Sequence, residues 1–186
     1  MADWQNLKQE CLACRQCHLR AGCRGVVFGE GNLSADLMLV GEGPGQVEDE
    51  LGRPFVGAAG QLLNRIIQAI NLRREDVYIT NVVKCRPPYN RTPQKAEMDI
   101  CGPWLRQEIE QVKPKIIVCL GAVAAKYLID QNFKITRERG RWLKLGDINL
   151  MATYHPAALL RDPSKKRPVW EDFKQIRDLY FRLVQN

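Results

Sequence analysis

Apolar positions along the chain fall into short continuous runs separated by stretches with helical spacing. Residues 36–41, Asp-Leu-Met-Leu-Val-Gly, form such a run and predict a buried strand closed by glycine. After a Gly- and Pro-rich loop, Leu62, Leu63, Ile66, Ile67 and Ile70 recur on one side of a helical wheel, which predicts a helix over about 58–71. Residues 77–83 read as a second strand, closed by Arg86-Pro87-Pro88. Thr92-Pro93 then opens a helix to about residue 112, with proline in its first turn.

Residues 115–121 predict a third strand and 122–129 the next helix. Residues 135–146 look like a local hairpin, and 148–154 like a fourth core strand followed by a polar loop. The last helix carries Val169, Phe173, Ile176, Tyr180 and Leu183 on one face. Strands alternating with helices imply βαβ units and a largely parallel sheet covered on both sides. Ligands of such sheets sit beyond the carboxyl ends of the strands. That rule singles out the loops after Gly41, Asn81, Gly121 and Tyr154.

A length of 186 residues implies one domain spanning 1–186, with a cysteine-bearing N-terminal segment (about 1–25) as its appendage. No apolar run approaches the ~18 residues of a membrane span. The first residues show neither the basic start nor the apolar core of an export signal, so a soluble, cytoplasmic protein is expected. With 28 Lys and Arg against 21 Asp and Glu, the net charge of +7 favours a polyanionic partner such as nucleic acid.

Seven cysteines is an odd count, and without an export signal metal or cluster ligation outranks a disulfide framework. Cys14 and Cys17 are spaced to share one metal, and Cys85 and Cys101 flank a Pro-rich loop and can supply two more thiolates for zinc or an iron–sulfur cluster. Cys11, Cys14 and Cys17 also form a C-x2-C-x2-C run, so spacing alone leaves the choice open. Cys119, inside an apolar strand, reads as a small buried residue.

The loop from Gly41 to Asp49 has glycines that permit close approach of a ligand, and Glu42 stands where a carboxylate can face it. It matches neither a P-loop nor a dinucleotide fingerprint, and an acidic surface turn is the plain alternative. Phe55 either stacks on a planar ligand or plugs the core. Asn81 is either a turn former or an amide that reads a base edge. His155 is either a hydrogen-bonded structural residue or a catalyst. Leu159-Leu160, ahead of Arg161 and Lys165-Lys166-Arg167, is either an apolar wedge with a basic flank or a helical start burying its leucines.

Together Gly41-Glu42-Gly43-Pro44-Gly45, Gly52-Arg53-Pro54-Phe55-Val56-Gly57, the stretch from Asn81 to Pro88, Leu120-Gly121 and His155-Pro156 resemble family 4 uracil-DNA glycosylase, in order over nearly the whole chain. The resemblance implies an α/β fold, a three-layer αβα sandwich around a central four-stranded parallel sheet, that flips uracil out of DNA and hydrolyses its N-glycosidic bond. It implies a [4Fe-4S] cluster on Cys14, Cys17, Cys85 and Cys101, with Cys11 and Cys23 as extras. Phe55 would stack on the uracil, with Gly41 and Gly43 beside it. Asn81 would pair with its N3–H and O4, and His155 would donate to O2 as charge develops. Glu42 would position or deprotonate the water, with Glu48 ranked below it as a helper or as pocket wall. Arg161 and loop amides would hold the DNA, single- or double-stranded, and Leu159 would fill the gap left by the base. The protein would act as a monomer. The competing reading is an iron–sulfur DNA-binding or electron-transfer accessory protein without glycosylase activity.

Overall fold

Side-chain alternation along the strands sets the layers. In a computed structural model that describes residues 2–184, the strands are β1 (Glu30–Gly31), β2 (Leu37–Gly41), β3 (Tyr78–Asn81), β4 (Ile116–Leu120), β5 (Leu143–Leu145) and β6 (Ile148–Thr153). They form one sheet in the order β1-β3-β2-β4-β6-β5. Leu37 and Leu39 of β2, with Ile116, Val118 and Leu120 of β4, point to one face, where they join Leu63, Ile67, Val169, Phe173 and Ile176. Met38, Val40, Ile117 and Cys119 point to the other and join Leu7, Cys11, Leu105, Ala124 and Ala125. A period of two therefore feeds two separate apolar layers.

The helices supplying those layers are α1 (Ala2–Leu12), α2 (Leu19–Gly22), α3 (Gln46–Leu51), α4 (Ala58–Ala69), α5 (Lys95–Val112), α6 (Ala122–Leu128), α7 (Ile135–Glu138), α8 (Pro156–Arg161) and α9 (Lys166–Val184). α4, α8 and α9 cover one face, and α1, α5 and α6 the other. This is the expected three-layer αβα sandwich.

The sheet differs from expectation in its edges. β3, β2, β4 and β6 are mutually parallel, as expected of four core strands. Two short antiparallel strands extend them to six: β1 on β3 and β5 on β6. Neither is apolar enough to read as a core strand, since β1 is only two residues long and β5 is exposed throughout. The hairpin expected over 135–146 is displaced for the same reason. Residues 135–138 are helical, and the hairpin joins Leu143–Leu145 to Ile148–Thr153 around Gly146, whose φ of 57° only glycine adopts easily.

Two further expectations change. α5 starts at Lys95 behind a Gln94–Glu97 capping box, not at Thr92-Pro93. The N-terminal segment is built into the domain: Trp4 packs on Phe28 and Tyr78 with ring centroids 5.4 and 5.6 Å apart, and Leu7 and Cys11 are core. Asp49 of α3 accepts from the Arg24 amide at 2.9 Å, fastening the far end of that segment.

β2 is the switch point, because the chain steps first to β3 on one side and then to β4 on the other. The register places Gly41 opposite Asn81, and Leu120 opposite Thr153. All four parallel strands thus end on one rim.

Candidate active site

A cavity of about 330 Å³ opens at that rim, lined by Glu42, Gly43, Glu48, Phe55, Asn81 and His155 among others, with Arg91 and Arg161 at its border. Its size falls within the roughly 300–1,000 Å³ of small-molecule sites. Sequence-distant residues meet there because each terminates or follows a parallel strand.

Gly41 ends β2, and a Cβ there would stand 2.5 Å from Phe55 Cζ and closer still to Asn81 Oδ1. A Cβ on Gly43 would stand 2.7 Å from Val83 Cγ2. A larger residue at either position would force its neighbours to shift, and at Gly41 those neighbours are the Phe55 ring and the Asn81 amide.

Phe55 has a left-handed φ of 52°, unusual for a residue with a Cβ. Three contacts hold it there. Arg74 donates to the carbonyls of Phe55 and Pro54 at 3.0 and 2.6 Å and to Asn64 Oδ1 at 2.9 Å, while Glu30 pairs with Arg74 at 2.7 Å. Glu48 Oε1 accepts from the amides of Val56 and Gly57 at 3.0 and 2.8 Å. Gly60 of α4 lies against the Phe55 backbone so closely that a Cβ would overlap it. The Phe55 ring itself is buried and belongs to the core cluster, as the core reading expects, and it also lines the cavity.

Asn81 is 2% exposed, and its Oδ1 is buried without a hydrogen-bond partner. A buried acceptor left unpaired costs roughly 1–3 kcal/mol, so this oxygen is open to a donor entering the cavity. Its backbone is firmly held: Lys84 Nζ donates to the Asn81 carbonyl at 2.9 Å and to Thr80 Oγ1 at 2.6 Å. The same ammonium forms a short ion pair with Glu108, and both side chains are buried. Glu108 also accepts from Tyr78 Oη and the Gly29 amide, each at 3.0 Å, and from Thr80 Oγ1 at 2.8 Å.

His155 precedes α8 and caps it. Its Nδ1 accepts from the Ala157 amide at 3.1 Å, which leaves Nε2 to carry the proton of a neutral imidazole. Burial, assisted by the Arg161 charge, lowers its pKa to about 4, so the ring is neutral near pH 7. Burial pushes Glu42 above its ordinary carboxylate value, although Arg161 opposes the shift. Glu42 makes no side-chain hydrogen bond among the described residues, whereas Glu48 is tied to two amides through Oε1.

Leu159 is placed differently from expectation. The loop after β6 is helical, and α8 turns Leu159 inward at 2% exposure against the α4 side of the core. Leu160 and not Leu159 is exposed, at 48%. The apolar pair is divided by helical geometry: one leucine is core and its neighbour faces solvent ahead of Arg161.

Away from the rim, Cys11, Cys14, Cys17, Cys85 and Cys101 line a second cavity, with no carboxylate or imidazole among its walls. The Lys84 amide donates to Cys101 Sγ at 3.2 Å. Burial pushes the Cys101 thiol up to about 11 and raises Cys85 as well, so without a cation these sulfurs stay protonated. Among the described residues no three such groups are already drawn into ligand geometry. The donor set is nonetheless all sulfur and apolar-walled, which suits an iron–sulfur cluster or zinc. His18 lies outside this set: its Nε2 pairs with Glu97 at 2.6 Å, beside the Arg91–Glu97 ion pair.

Comparison with known proteins follows the same lines. A family model for the uracil DNA glycosylase superfamily matches residues 28–174. The chain is 46% identical over 188 residues to the type-4 uracil-DNA glycosylase of Sulfurisphaera tokodaii, covering 96% of this chain and 86% of that one. It is 44% identical over 189 residues to the type-4 uracil-DNA glycosylase of Archaeoglobus fulgidus, covering 96% and 94%. Similarity to the type-5 uracil-DNA glycosylase of Pyrobaculum aerophilum is lower, at 33% over 146 residues and 69% of this chain. No helix among the described residues is long and apolar enough to cross a membrane.

Proposed function

This chain belongs to the uracil-DNA glycosylase superfamily, and we propose that the cavity at the strand ends is where it takes uracil out of DNA. The reaction is hydrolysis of the N-glycosidic bond, leaving an abasic site for repair. The observation that carries the assignment of the pocket is the unpaired, buried Oδ1 of Asn81 beside Phe55 and His155.

A base within a duplex is out of reach, so the nucleotide must leave the stack. Phe55 stacks on the extruded ring. Asn81 Oδ1 accepts from uracil N3–H and its amide donates to O4. Cytosine presents the reverse pattern at these two positions, so one bidentate contact separates the bases by roughly 1–3 kcal/mol. As the C–N bond breaks, negative charge grows on the pyrimidine and positive charge on the sugar. His155 donates from Nε2 to O2, where a neutral donor already in place stabilises that charge without reorganising. Glu42 orients the water that attacks the sugar and takes up its proton. Glu48 holds the loop that presents Phe55.

Leu160, not Leu159, is the side chain available to occupy the gap in the stack, with Arg161 beside it for phosphate. Cys14, Cys17, Cys85 and Cys101 would hold a [4Fe-4S] cluster, which when bound ties the N-terminal segment to the chain between 85 and 101. The reading has the protein acting as a monomer, in the cytoplasm, on single- or double-stranded DNA.

The decisive experiment incubates the purified protein with uracil-containing and thymine-containing oligonucleotides and scores abasic-site cleavage. Cleavage confined to the uracil strand is expected. Intact uracil DNA with folded, cluster-loaded protein would return the chain to an accessory iron–sulfur role. Purified protein should be brown with about four irons per chain; stoichiometric zinc without iron would overturn the cluster assignment.

A further inference from the structure

The rim carries an aromatic side chain that the chemistry above leaves unused. Tyr89 is 99% exposed, the most exposed of the large apolar side chains, while Pro87, Asn90 and Arg91 around it line the cavity. Its exposure is not that of a loose loop. Tyr89 and Asn90 both adopt left-handed φ, 55° and 54°, a conformation that residues with a Cβ avoid unless their surroundings impose it.

The surroundings do impose it. The Asn90 and Arg91 amides each donate at 3.1 Å, to the carbonyls of Pro87 and Pro88. Arg86 Nε donates to Asn90 Oδ1 at 2.7 Å. Arg91 grips the buried carboxylate of Glu97 through two nitrogens, at 2.8 and 2.6 Å. A two-proline entry, an internal turn and a two-pronged ion pair thus fix a bare aromatic ring at the cavity mouth. Leu160 stands exposed on α8 one position before Arg161, another lining residue, as Tyr89 stands two before Arg91. Each of these two lining arginines is therefore accompanied in sequence by a large apolar side chain turned to solvent.

We propose that Tyr89 is a nucleobase subsite: it stacks on a base flanking the extruded uracil, on the strand that carries the uracil. The inference rests on the uracil-DNA reading of the pocket. Extrusion uncovers the faces of both neighbouring bases. An aromatic held in place in advance stacks on such a face with little further ordering and little sequence preference. The cations at positions 86 and 91 lie where the adjoining phosphates must pass.

The test is a cycle between protein and DNA, using oligonucleotides with 2′-fluoro-deoxyuridine so that binding is read without cleavage. Tyr89→Ala should weaken Kd about tenfold, equivalent to about 1.4 kcal/mol, and Tyr89→Trp should restore it. Replacing the base on one side of the uracil by an abasic spacer should weaken wild type similarly. It should remove the difference between wild type and Tyr89→Ala for that side only. Additive losses on both sides, or equal Kd for Tyr, Ala and Trp, would overturn the subsite. Wild-type cleavage of ordinary uracil DNA, run in parallel, reports separately on the reading beneath it.

Discussion

The rings of Phe55 and His155 lie with centroids 5.5 Å apart and planes 30° from parallel. In the proposed reading a pyrimidine laid on Phe55 would have its edge toward the imidazole. On the same reading His155 has two tasks, because Nδ1 caps α8 and Nε2 would donate to the base. His155→Ala should slow excision at least ~10²-fold, as removal of such donors commonly does, and also lower stability by about 1 kcal/mol through the lost cap. His155→Asn separates the two, since asparagine caps well. Its melting temperature should recover while its kcat stays low. Near-normal turnover in either variant would remove the histidine from the chemistry.

The pH profile follows from the two shifts at the pocket. Glu42 acts deprotonated and sits above its ordinary 4.5, whereas His155 acts neutral and protonates only at about 4. Lowering the pH should therefore reduce kcat/KM as Glu42 takes a proton, above its ordinary 4.5 and before the histidine does. Removing the nearby cation in Arg161→Gln stabilises both protonated forms, so the acid limb should move upward. Loss of wild-type kcat/KM on raising the pH through 6.5 would mean that the imidazole enters the reaction charged, against this scheme.

Asn81→Asp tests base reading. The carboxyl oxygen that replaces Nδ2 no longer donates to O4 unless protonated, and a protonated acid donates to cytosine N3 while accepting from its amino group. Uracil excision should fall by 10-fold or more, by the roughly 1–3 kcal/mol of a bidentate pair, and the uracil-to-cytosine ratio should fall with it. Competition between matched oligonucleotides reads the ratio directly; no change in it would count against the amide.

The parallel core and the four rim loops were legible because they depend on local patterning: apolar runs of strand length, and glycine or asparagine at their ends. Phe55, Asn81 and His155 could be named for the same reason, with the family resemblance supplying their roles. The supporting residues could not. Arg74, Glu30 and Gly60 meet Phe55 only through the fold, and no spacing in the chain relates them. Leu159 and Leu160 are adjacent in sequence with identical chemistry, so only the helical turn of α8 decides which one is buried. The edge strands escaped notice because two or three half-exposed residues carry no periodicity. Lys84 and Glu108 were hidden by their charge, which marks a residue as surface until a partner is found 24 positions away.

That buried pair leads to the last prediction. Lys84 joins two sites: its side chain holds the Asn81 carbonyl, and its amide donates to Cys101 Sγ. Lys84→Met leaves Glu108 charged in the core with only neutral donors around it, which costs about 3–5 kcal/mol. At 2–4 °C per kcal/mol for a chain of this size, the melting temperature should fall by roughly 10 °C. Lys84→Met combined with Glu108→Gln removes both charges and should recover most of that loss, since neutralising a buried pair is far less costly than breaking it. The Asn81 carbonyl still lacks its ammonium donor in the double variant. Free uracil, tested as a competitive inhibitor, should then bind less tightly although the protein is again stable. If the double variant binds uracil as wild type does, Lys84 serves folding alone, and the strand end keeps Asn81 in place without it.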